Sequence, residues 1–472
     1  MSTLTLSRNL TAADLKHNLR DIQDNVVTPI LMRYGRHIFV KFNDGAKARA
    51  WLRNMVKRVN ARCEEHGTRF TINVGFTYEG LKALGLSRRS LNSFPEAFRA
   101  GMRGRAHVVG DIGPNAPEHW ERGLGGPDIH AMGWIRTDSD QGREEATRII
   151  RAEMESTGGI EIRFVQDTMA LAHQNGIGSE GEHFGFADPI SQPPIEGAGA
   201  PAYPGDGVME ADGTWRALKP GEFLLGYEDE AGPAGTQIPE PFELRVNGTY
   251  MVFRKLYQDV AAYRRYLATA AKSLYGSNDQ SHQDLVGAKI MGRWPSGCPV
   301  DLSPEKDDPA IAADPHRRNN FTYAGDDQGL RCPLGSHLRR SNPRATPLKR
   351  ATAVRRHRLI RRGVEYGPHL ADGALEDDGV DRGLVNLFIQ ADIERQFEFV
   401  QKEWMKGGEF MGLDANEQDP LNGTGGEGSQ LSVPGAKQPF LFDLPTFVRV
   451  KAGEYLFVPG LNALKGIIEQ KF

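Results

Sequence analysis

An aspartate inside an apolar segment is the first residue of the chain whose surroundings could support chemistry. The segment EHFGFADPISQPPIEG covers residues 182–197, and Asp188 lies in it between Phe186 and Pro189. Asp-Pro is common in turns, because the proline ring fixes φ, so a plain turn explains this aspartate without any function. A carboxylate in such a place can also act as a general acid or base. Both interpretations are open on this segment alone.

A histidine beside a dense run of arginines is the second candidate. The segment DQGLRCPLGSHLRRSNPR covers residues 327–344 and contains His337, and residues 331–362 include eleven lysines and arginines. A solvated basic face is the usual meaning of such density, and RNA binding is a rarer one. A third is a pocket for a dianionic cofactor, in which guanidinium groups pair with carboxylates. On composition alone, His337 is more often a core or surface histidine than a ligand.

The standard catalytic and metal-binding motifs are absent from the sequence. Its thirteen histidines form no HxxxH or HxH pair, which argues against a zinc site. It has no Walker-type Gly-rich loop and no GxSxG nucleophile elbow. The three cysteines, Cys63, Cys298 and Cys332, are far apart and odd in number. They exclude a disulfide framework and a CxxC metal site, and they suit a reducing compartment.

The bulk composition is that of an ordinary soluble protein. The chain has 472 residues, of which 39% are hydrophobic and 25% charged, and its net charge is −3. At ~100–200 residues per domain, this length permits more than one domain. The charge balance gives no reason to expect nucleic acid or an anionic membrane as a partner. The N-terminal stretch lacks the apolar core of a secretory signal and no run is long enough to span a membrane, so we expect a cytoplasmic protein.

The elements that must position these residues form a pattern that occurs twice. In the first half, hydrophobic periodicity predicts strands at 36–42, 71–78, 128–137 and 159–169, and helices at 46–59, 79–85 and 143–157. This strand–helix–strand–strand–helix–strand order is that of the ferredoxin-like, split βαβ arrangement. The second half shows a similar series, with strands at 248–257, 382–392 and 454–459 and helices at 260–274 and 393–405.

Glycine and proline mark the connections between these elements. Residues 195–245 are rich in both, residues 300–350 are irregular and polar, and residues 416–430 read as a loose surface loop. We therefore predict an α+β protein in three parts. They are an N-terminal ferredoxin-like half with Asp188 (1–195), a Gly- and Pro-rich linker with loops (196–245), and a C-terminal ferredoxin-like half with His337 and Arg361 (246–472).

Several long motifs resemble those of the dye-decolorizing peroxidase family, in order and in approximate spacing. They are FGFADPISQP, GLRCPLGSHLRRSNPR, RLIRRGVEYG and ADIERQFEFVQ, and supporting stretches extend the resemblance over nearly the whole chain. The resemblance implies two ferredoxin-like halves in a dimeric α+β barrel arrangement, with antiparallel sheets and peripheral helices. It also implies one haem b per chain, held largely by the C-terminal half. The implied activity is reduction of hydrogen peroxide with one-electron oxidation of organic donors such as dyes and phenols.

The resemblance assigns roles to residues that match the family's motifs. His337 matches the proximal ligand of the haem iron, Asp188 the distal acid and Arg361 the distal arginine. Arg344 matches an arginine that binds a haem propionate.

Three further assignments concern the proximal carboxylate and electron transfer. Asp392 is our choice for the carboxylate behind His337, with Glu394 as the alternative. Tyr366 matches a position that relays electrons to the surface in some relatives, and Trp404 is a second candidate for a surface relay. Each of these two is also explained as an ordinary packed aromatic residue.

Peroxide cleavage explains why these residue types are needed. One proton must move from the inner oxygen of the peroxide to the outer one, and a single ionised carboxylate can take it and return it. A guanidinium stabilises the negative charge that grows on the departing oxygen. A carboxylate that accepts the second N–H of the proximal histidine makes this ligand more electron-rich. We therefore expect activity at mildly acidic pH and its loss where Asp188 becomes protonated.

Two positions depart from the family pattern. Pro189 stands where the motif usually has glycine, and proline pushes the preceding residue toward extended geometry, so Asp188 could point differently. Asn386 stands where relatives commonly have phenylalanine, and its amide would admit water or another hydrogen bond. The sequence therefore leaves open the rate of the peroxidase reaction and the range of organic donors.

Two other functions compete with the peroxidase. One is a haem-binding protein for storage, transfer or sensing whose peroxidase activity is residual. The other is a basic-patch binding protein without a cofactor. The resemblance also leaves a homo-oligomer as one option, and the sequence does not identify the physiological donor.

Overall fold

A computed structural model gives the fold of the chain and describes residues 9–60, 70–171, 181–232, 238–346, 348 and 353–472. Cys63 lies outside these residues, whereas Cys298 and Cys332 are buried free thiols. None of the described helices is both long enough and apolar enough to cross a membrane.

Four antiparallel strands form the N-terminal part of the main sheet. They are β1 (Tyr34–Phe42), β2 (Phe70–Phe76), β3 (Ala131–Thr137) and β4 (Ile160–Met169), in the order β4-β1-β3-β2. The α-helices of this part are α1 (Ala12–Asn18), α2 (Gly45–Met55), α3 (Tyr78–Ala83), α4 (Arg88–Ser93), α5 (Glu96–Gly104) and α6 (Asp140–Thr157). The strand order and the helices after β1 and β3 are those of a ferredoxin-like unit.

The C-terminal part repeats this order. After a small hairpin of β5 (Val208–Met209) and β6 (Trp215–Arg216) come β7 (Thr249–Gln258), β8 (Ile360–Arg361), β9 (Val364–Tyr366) and β10 (Gly383–Gln390). A second hairpin, β11 (Gln430–Ser432) with β12 (Phe440–Phe442), precedes β13 (Val448–Val458). The order β13-β7-β10-β8, with β9 also on β10, matches that of the first four strands.

The remaining helical segments surround this second part. The α-helices are α7 (Phe242–Arg245), α8 (Val260–Tyr275), α9 (Gln280–Met291), α10 (Pro309–Ala313), α11 (His337–Ser341) and α12 (Leu461–Ile468). Two π-helical segments are Glu394–Glu398 and Val400–Met405. Short 3-10 turns are Leu19–Asp21, Gly113–Asn115, Pro117–His119, Pro220–Glu222, Val354–His357 and Phe410–Gly412.

The two groups of strands join into one sheet through β2 and β13, which pair at Phe76 and Phe457. The predicted α+β class with antiparallel strands is confirmed. Among the described residues the strand path is open from β4 to β8, so these strands form no closed barrel. The domain boundaries at 195 and 245 stay a prediction.

Both faces of the sheet are buried, and the alternation of side chains explains how. Ile38 and Val40 of β1 belong to one apolar cluster, whereas Phe39 between them belongs to the other. Successive side chains of a strand point to opposite faces, so each strand supplies two cores. The Gly- and Pro-rich stretch 196–245 contributes to the second core, because Leu218 and Phe223 are fully buried there.

Helix α8 is fixed at both ends by the residues expected there. The Asp259 side chain accepts a hydrogen bond from the Ala262 backbone N–H, and this satisfies one of the free donors of the first turn. The helix ends at Gly276, whose φ of 82° is the left-handed conformation that glycine adopts at low cost. The predicted helix at 260–274 is confirmed.

Four elements differ most clearly from the sequence-based predictions. The region predicted as a helix at 393–405 is π-helical in two pieces. Strand β13 begins six residues before the predicted 454. Strands β8 and β9 were not predicted, because each is shorter than the four to eight residues of a recognisable apolar run, and Arg362 and Gly363 separate them.

Candidate active site

One cavity brings together the residues that the sequence marked in three distant segments. It has a volume of about 270 Å³, and Asp188, His337, Arg344 and Arg361 all line it. Much of the remaining wall is apolar, with Phe186, Ile190, Met291, Phe321, Leu338, Leu359, Leu384, Phe388, Val400, Met405, Leu421 and Val448. An apolar cavity with a few polar groups is the usual form of a ligand site.

Asp188 and Arg361 lie next to each other in this wall. Nη2 of Arg361 is 3.5 Å from Oδ1 of Asp188, and both side chains are partly exposed to the cavity, at 38% and 30%. The Asp188 loop is fixed by a hydrogen bond from the Ala187 backbone N–H to the carbonyl of Pro295. Pro189, in place of glycine, therefore does not turn Asp188 away from the cavity.

Arg361 owes its position to the pairing of β8 with β10. The residue stands opposite Phe388 in the register, and cross-strand partners share one face of a sheet. Its backbone N–H donates to Oε1 of Gln192, which ties β8 to the segment after Asp188. The two members of the pair thus come from two segments that this hydrogen bond holds together.

His337 has a carboxylate partner, and it is Asp419. Nδ1 of His337 lies 2.9 Å from Oδ2 and 3.1 Å from Oδ1 of Asp419, whose side chain is fully buried. An ionised carboxylate can only accept hydrogen bonds. Nδ1 of His337 therefore carries a hydrogen atom and donates a hydrogen bond to Asp419. Nε2 is then the nitrogen that keeps a lone pair for a metal ion.

The prediction that Asp392, or alternatively Glu394, backs His337 is wrong. Asp392 accepts a hydrogen bond from the Arg395 backbone N–H and contacts the Arg395 side chain. Glu394 accepts from the Ala97 backbone N–H. Both carboxylates thus accept hydrogen bonds from helical segments, and neither lines the cavity.

Asp419 was missed because it lies in the Gly-rich stretch 416–430, which the sequence predicts to be a surface loop. In the structure its Oδ1 accepts backbone N–H groups of Leu421 and Asn422, at 3.0 and 2.6 Å, in an Asx-type turn. Its own N–H donates to the carbonyl of Met405. The Asp-Pro dipeptide that Asp419 shares with Asp188 is not a specific signal, because it also occurs at Asp308 and Asp314.

The charge of Asp419 is maintained despite its burial. Burial alone would raise its pKa, but the electrostatic attraction and hydrogen bond of the His337 ring and the Asn422 N–H hold the pKa below its ordinary value. Arg340 acts in the same direction. The carboxylate is therefore ionised at neutral pH and remains an acceptor for His337.

Three further arginines add positive charge to the cavity wall. Arg293, Arg344 and Arg358 all line it beside Arg361; Arg293 is buried, and Arg344 and Arg358 are half-buried. Within the described part of the chain none of these three forms an ion pair with a carboxylate. Nη1 of Arg344 donates to the carbonyls of Gly205, Asn319 and Phe321. Burial lowers the pKa of Arg293 and of Arg358 to about 10, and the charge of Arg344 adds to this in both.

The basic run at 331–362 is therefore not a solvated face. Arg339 and Arg340 are fully buried, and Arg339 pairs with Asp326. Burying guanidinium groups without a counter-charge is costly, and an anionic ligand in the cavity removes much of that cost. Arg358 belongs to the basic run that the sequence marked, although it was not assigned a role there, and nothing in its segment distinguished Arg293.

These residues fit a haem. Haem needs an apolar cavity, an axial nitrogen or sulfur ligand and cationic partners for two propionates, and the wall offers all three. His337 would be the axial ligand through Nε2, and Arg344 and Arg358 are the guanidinium groups available for the propionates. No group of three or more His, Cys, Asp or Glu side chains among the described residues could hold a metal ion directly.

Strand β10 presents one of its two faces to the cavity. Leu384, Asn386 and Phe388 line it, whereas the intervening Val385 and Leu387 are buried in the second apolar core. The two-residue period of a strand thus places the amide of Asn386 in the wall, between two apolar neighbours.

A second and smaller cavity lies against the same pair of residues. Its volume is about 80 Å³, and it shares Asp188 and Arg361 with the larger cavity. The exposed Leu31 lines it, together with buried His37 and Trp134. Asp188 and Arg361 therefore form part of the wall between two cavities.

The predicted electron-relay residues do not lie at the surface. Tyr366 and Trp404 are each only 4% exposed, so the prediction of a surface position is wrong for both. The hydroxyl of Tyr366 donates to Oδ1 of Asp381, and Lys255 lies over its ring. The ring of Trp404 lies 5.2 Å from that of His357, which lines the larger cavity.

Comparison with known proteins agrees with this geometry, although no protein-family model matches the chain. A dye-decolorizing peroxidase of Mycena epipterygia is 31% identical over 425 residues, covering 84% of this chain and 76% of the relative. Dye-decolorizing peroxidase msp1 of Mycetinis scorodonius is 29% identical, covering 96% of this chain and 88% of the relative. A solved dye-decolorizing peroxidase in complex with 2,6-dimethoxyphenol is 28% identical, with a TM-score of 0.81 over 95% of this chain and 99% of that one. Since the likeness extends over most of each chain and includes the fold that builds the cavity, this protein belongs to the dye-decolorizing peroxidase family and is a peroxidase.

Proposed function

We propose that the chain is a haem b peroxidase in which His337 binds the iron while Asp188 and Arg361 act on hydrogen peroxide. The observation that carries this proposal is that one cavity contains His337, paired with Asp419, and the Asp188–Arg361 pair. Bound haem supplies the iron at which the O–O bond breaks and at which two oxidising equivalents are held. We propose one haem per chain, because the described residues bring together one such set of side chains.

Asp188 is the group that moves the proton. Its ionised carboxylate takes the proton from the inner oxygen of the peroxide and returns it to the outer oxygen, which leaves as water. Arg361 donates to the outer oxygen as negative charge grows there. Their separation of 3.5 Å leaves both groups able to contact one small molecule.

His337 and Asp419 control the electron density that the protein offers the iron. Donation of the Nδ1–H to an ionised carboxylate makes Nε2 a stronger donor, which favours the oxidised states that a peroxidase requires. The hydrogen bonds of Leu421 and Asn422 to Asp419 fix the carboxylate, so the imidazole ring is held in one orientation.

Organic donors are the second substrates that we propose. Relatives of the chain are named for dye decolorization, and one structural neighbour is a complex with 2,6-dimethoxyphenol. Phenols and dyes are therefore the donors to test first. Asn386 places an amide in the cavity wall and could select donors or admit water there. A cytoplasmic location and a homo-oligomer stay predictions.

The spectrum of the purified protein tests this function. We expect a haem Soret band after expression with ample haem, and a fast change in this band on one equivalent of hydrogen peroxide. His337→Ala should lose or greatly weaken haem binding. A colourless wild-type protein, or full haem binding by His337→Ala, would contradict the proposal. Bound haem with a slow reaction that is independent of Asp188 would instead favour storage, transfer or sensing.

A further inference from the structure

A buried glutamate with no place in the proposed chemistry lies six residues before Asp188. Glu182 is 7% exposed and lines the larger cavity together with Asp188. A carboxylate in such a position requires an explanation, because burial of an acid is costly unless hydrogen bonds satisfy it.

Two backbone N–H groups of the segment before Asp188 donate hydrogen bonds to this carboxylate. Oε2 of Glu182 accepts the Phe184 N–H at 2.9 Å, and Oε1 accepts the Phe186 N–H at 3.0 Å. Gly185 permits the tight turn between them with a φ of 98°, a conformation that other residues rarely adopt. Both donors therefore belong to the short segment that leads directly to Asp188.

The same carboxylate is anchored to the sheet. Nε2 of Gln258, at the end of β7, donates to Oε2 of Glu182 at 2.7 Å. Gln258 is itself 2% exposed, and its backbone N–H donates to the carbonyl of Arg382. Glu182 thus connects a loop, which could otherwise move, to a central strand of the rigid sheet.

We propose that Glu182 is a positioning residue of the distal site, whose carboxylate fixes the loop so that Asp188 stays beside Arg361. This inference rests on the proposed function of Asp188 and deepens it. Burial raises the pKa of Glu182 to about 7, while its three hydrogen-bond donors lower it. A neutral carboxylic acid still has two oxygen acceptors for the two backbone N–H groups, so the role does not require the charge.

Glu182→Gln tests whether the two acceptor oxygens of the carboxylate hold the loop. Glutamine has nearly the same shape but only one acceptor oxygen, so one backbone N–H would face the side-chain NH₂ group and lose its partner. Glu454→Gln is the matched control. Glu454 is also a buried glutamate that accepts a backbone N–H, from Gly125, but it does not line the cavity.

The first measurement is hydrogen exchange of the full-length protein. In Glu182→Gln we expect faster exchange of the amides of Phe184 and Phe186, while the peptide that contains His337 exchanges as in the wild type. Glu454→Gln should leave residues 182–188 unchanged. Wild-type exchange of these amides in Glu182→Gln would overturn the inference.

The second measurement is the rate constant of the haem-loaded protein with hydrogen peroxide, normalised to haem content. We expect a loss of about 10- to 100-fold in Glu182→Gln, because misplacement by about 1 Å can cost this much. The later reaction with a phenol should keep its rate, as should both reactions in Glu454→Gln. A general loss of folding would instead lower haem content and both rates together.

A double variant shows whether Glu182 acts through Asp188. In an Asp188→Asn background, Glu182→Gln should slow the peroxide reaction by less than about twofold, because coupled residues are not additive. An equal loss in both backgrounds would overturn the inference.

Two results keep this inference separable from the proposed function. A slow Asp188→Asn with a wild-type rate in Glu182→Gln would overturn the positioning role alone. A wild-type rate in Asp188→Asn would overturn the proposed function, and the positioning role with it. Should Glu182→Gln not fold, Gln258→Leu removes the anchor instead, and a wild-type peroxide rate together with wild-type loop exchange in this variant would count against the role.

Discussion

His337 and Asp419 form a pair in which the carboxylate determines both the tautomer and the orientation of the imidazole. Asp419 is fully buried and has three donors, the Nδ1–H of His337 and the N–H groups of Leu421 and Asn422. Its charge therefore acts on the imidazole without screening by solvent. In the proposed function, the donor strength of His337 toward iron therefore depends on the Asp419 carboxylate.

Asp419→Asn tests this dependence. Loss of the negative charge should make the haem iron easier to reduce, so we expect a more positive reduction potential and a slower reaction with peroxide. Spectroelectrochemical titration measures the potential. Asp392→Asn is the control, since Asp392 lies outside the cavity, and it should leave the potential unchanged. A shift in Asp392→Asn without one in Asp419→Asn would refute the assignment.

Arg344 and Arg358 give a second prediction for single residues. Both are half-buried in the cavity wall without a carboxylate partner in the described part of the chain, and each is available to a propionate. Removing either guanidinium as Arg344→Leu or Arg358→Leu should weaken haem binding at least about tenfold, since charge-assisted bonds to ionised groups are strong. Arg331→Leu is the control, because Arg331 is partly exposed and pairs with Asp301. Equal haem affinity in all three variants, measured by titration of the haem-free protein, would contradict this.

At the scale of elements, strand alternation and pairing build the site. Leu384, Asn386 and Phe388 face the cavity because every second residue of β10 does, and Arg361 joins them through its register with Phe388. The helix that follows β10 is π-helical, and its Val400 and Met405 complete the wall. Trp404 in this segment contacts the ring of His357.

Bulky dyes test whether electrons reach the cavity from the surface through Trp404 and Tyr366. A dye too large for the cavity must be oxidised through the protein, whereas a small phenol can enter. Trp404→Phe and Tyr366→Phe should therefore lower kcat/KM for a bulky dye several-fold and leave that for 2,6-dimethoxyphenol unchanged. Equal effects on both donors would show that the two residues only support packing.

The elements also show how much of this site can be predicted from sequence. The strands and helices with strong periodicity, such as those at 36–42 and 260–274, match the structure. Asp419 could not be predicted, because it acts through a loop whose burial depends on contacts distant in sequence. Strands β8 and β9 were too short to show a period, although β8 carries Arg361. Local sequence patterns thus predict the main strands and helices. Which carboxylate forms the hydrogen bond with His337 depends on packing between segments that are distant in sequence.

At the scale of the whole molecule, one nine-stranded sheet buries acids as well as apolar side chains. Burial raises the pKa of Glu454 to about 8, against the N–H of Gly125 and the charge of Arg103, which lower it. The folded protein keeps this proton where the unfolded chain has lost it. Folding therefore binds protons between the ordinary pKa of a glutamate, ~4.3, and about 8.

The stability of the protein should consequently fall as the pH rises through this interval. The contribution of Glu454 is fully present below the unfolded pKa and is lost as the pH approaches about 8. Glu454→Gln removes the titrating group, so we expect a flatter dependence of Tm on pH between pH 5 and 8. Glu96→Gln, at a side chain that is 74% exposed, should keep the wild-type slope. Identical slopes in all three proteins would contradict the prediction.

The most direct test of the whole account is the pH dependence of the rate constant for haem-loaded protein with hydrogen peroxide, in the wild type and in Asp188→Asn. We predict that the wild-type rate falls at low pH, where a carboxylate can no longer take the proton of the peroxide. Asp188→Asn should keep its haem, react at least about 100-fold more slowly and lack this acid limb. A wild-type rate in Asp188→Asn, or a wild-type profile without an acid limb, would contradict the account.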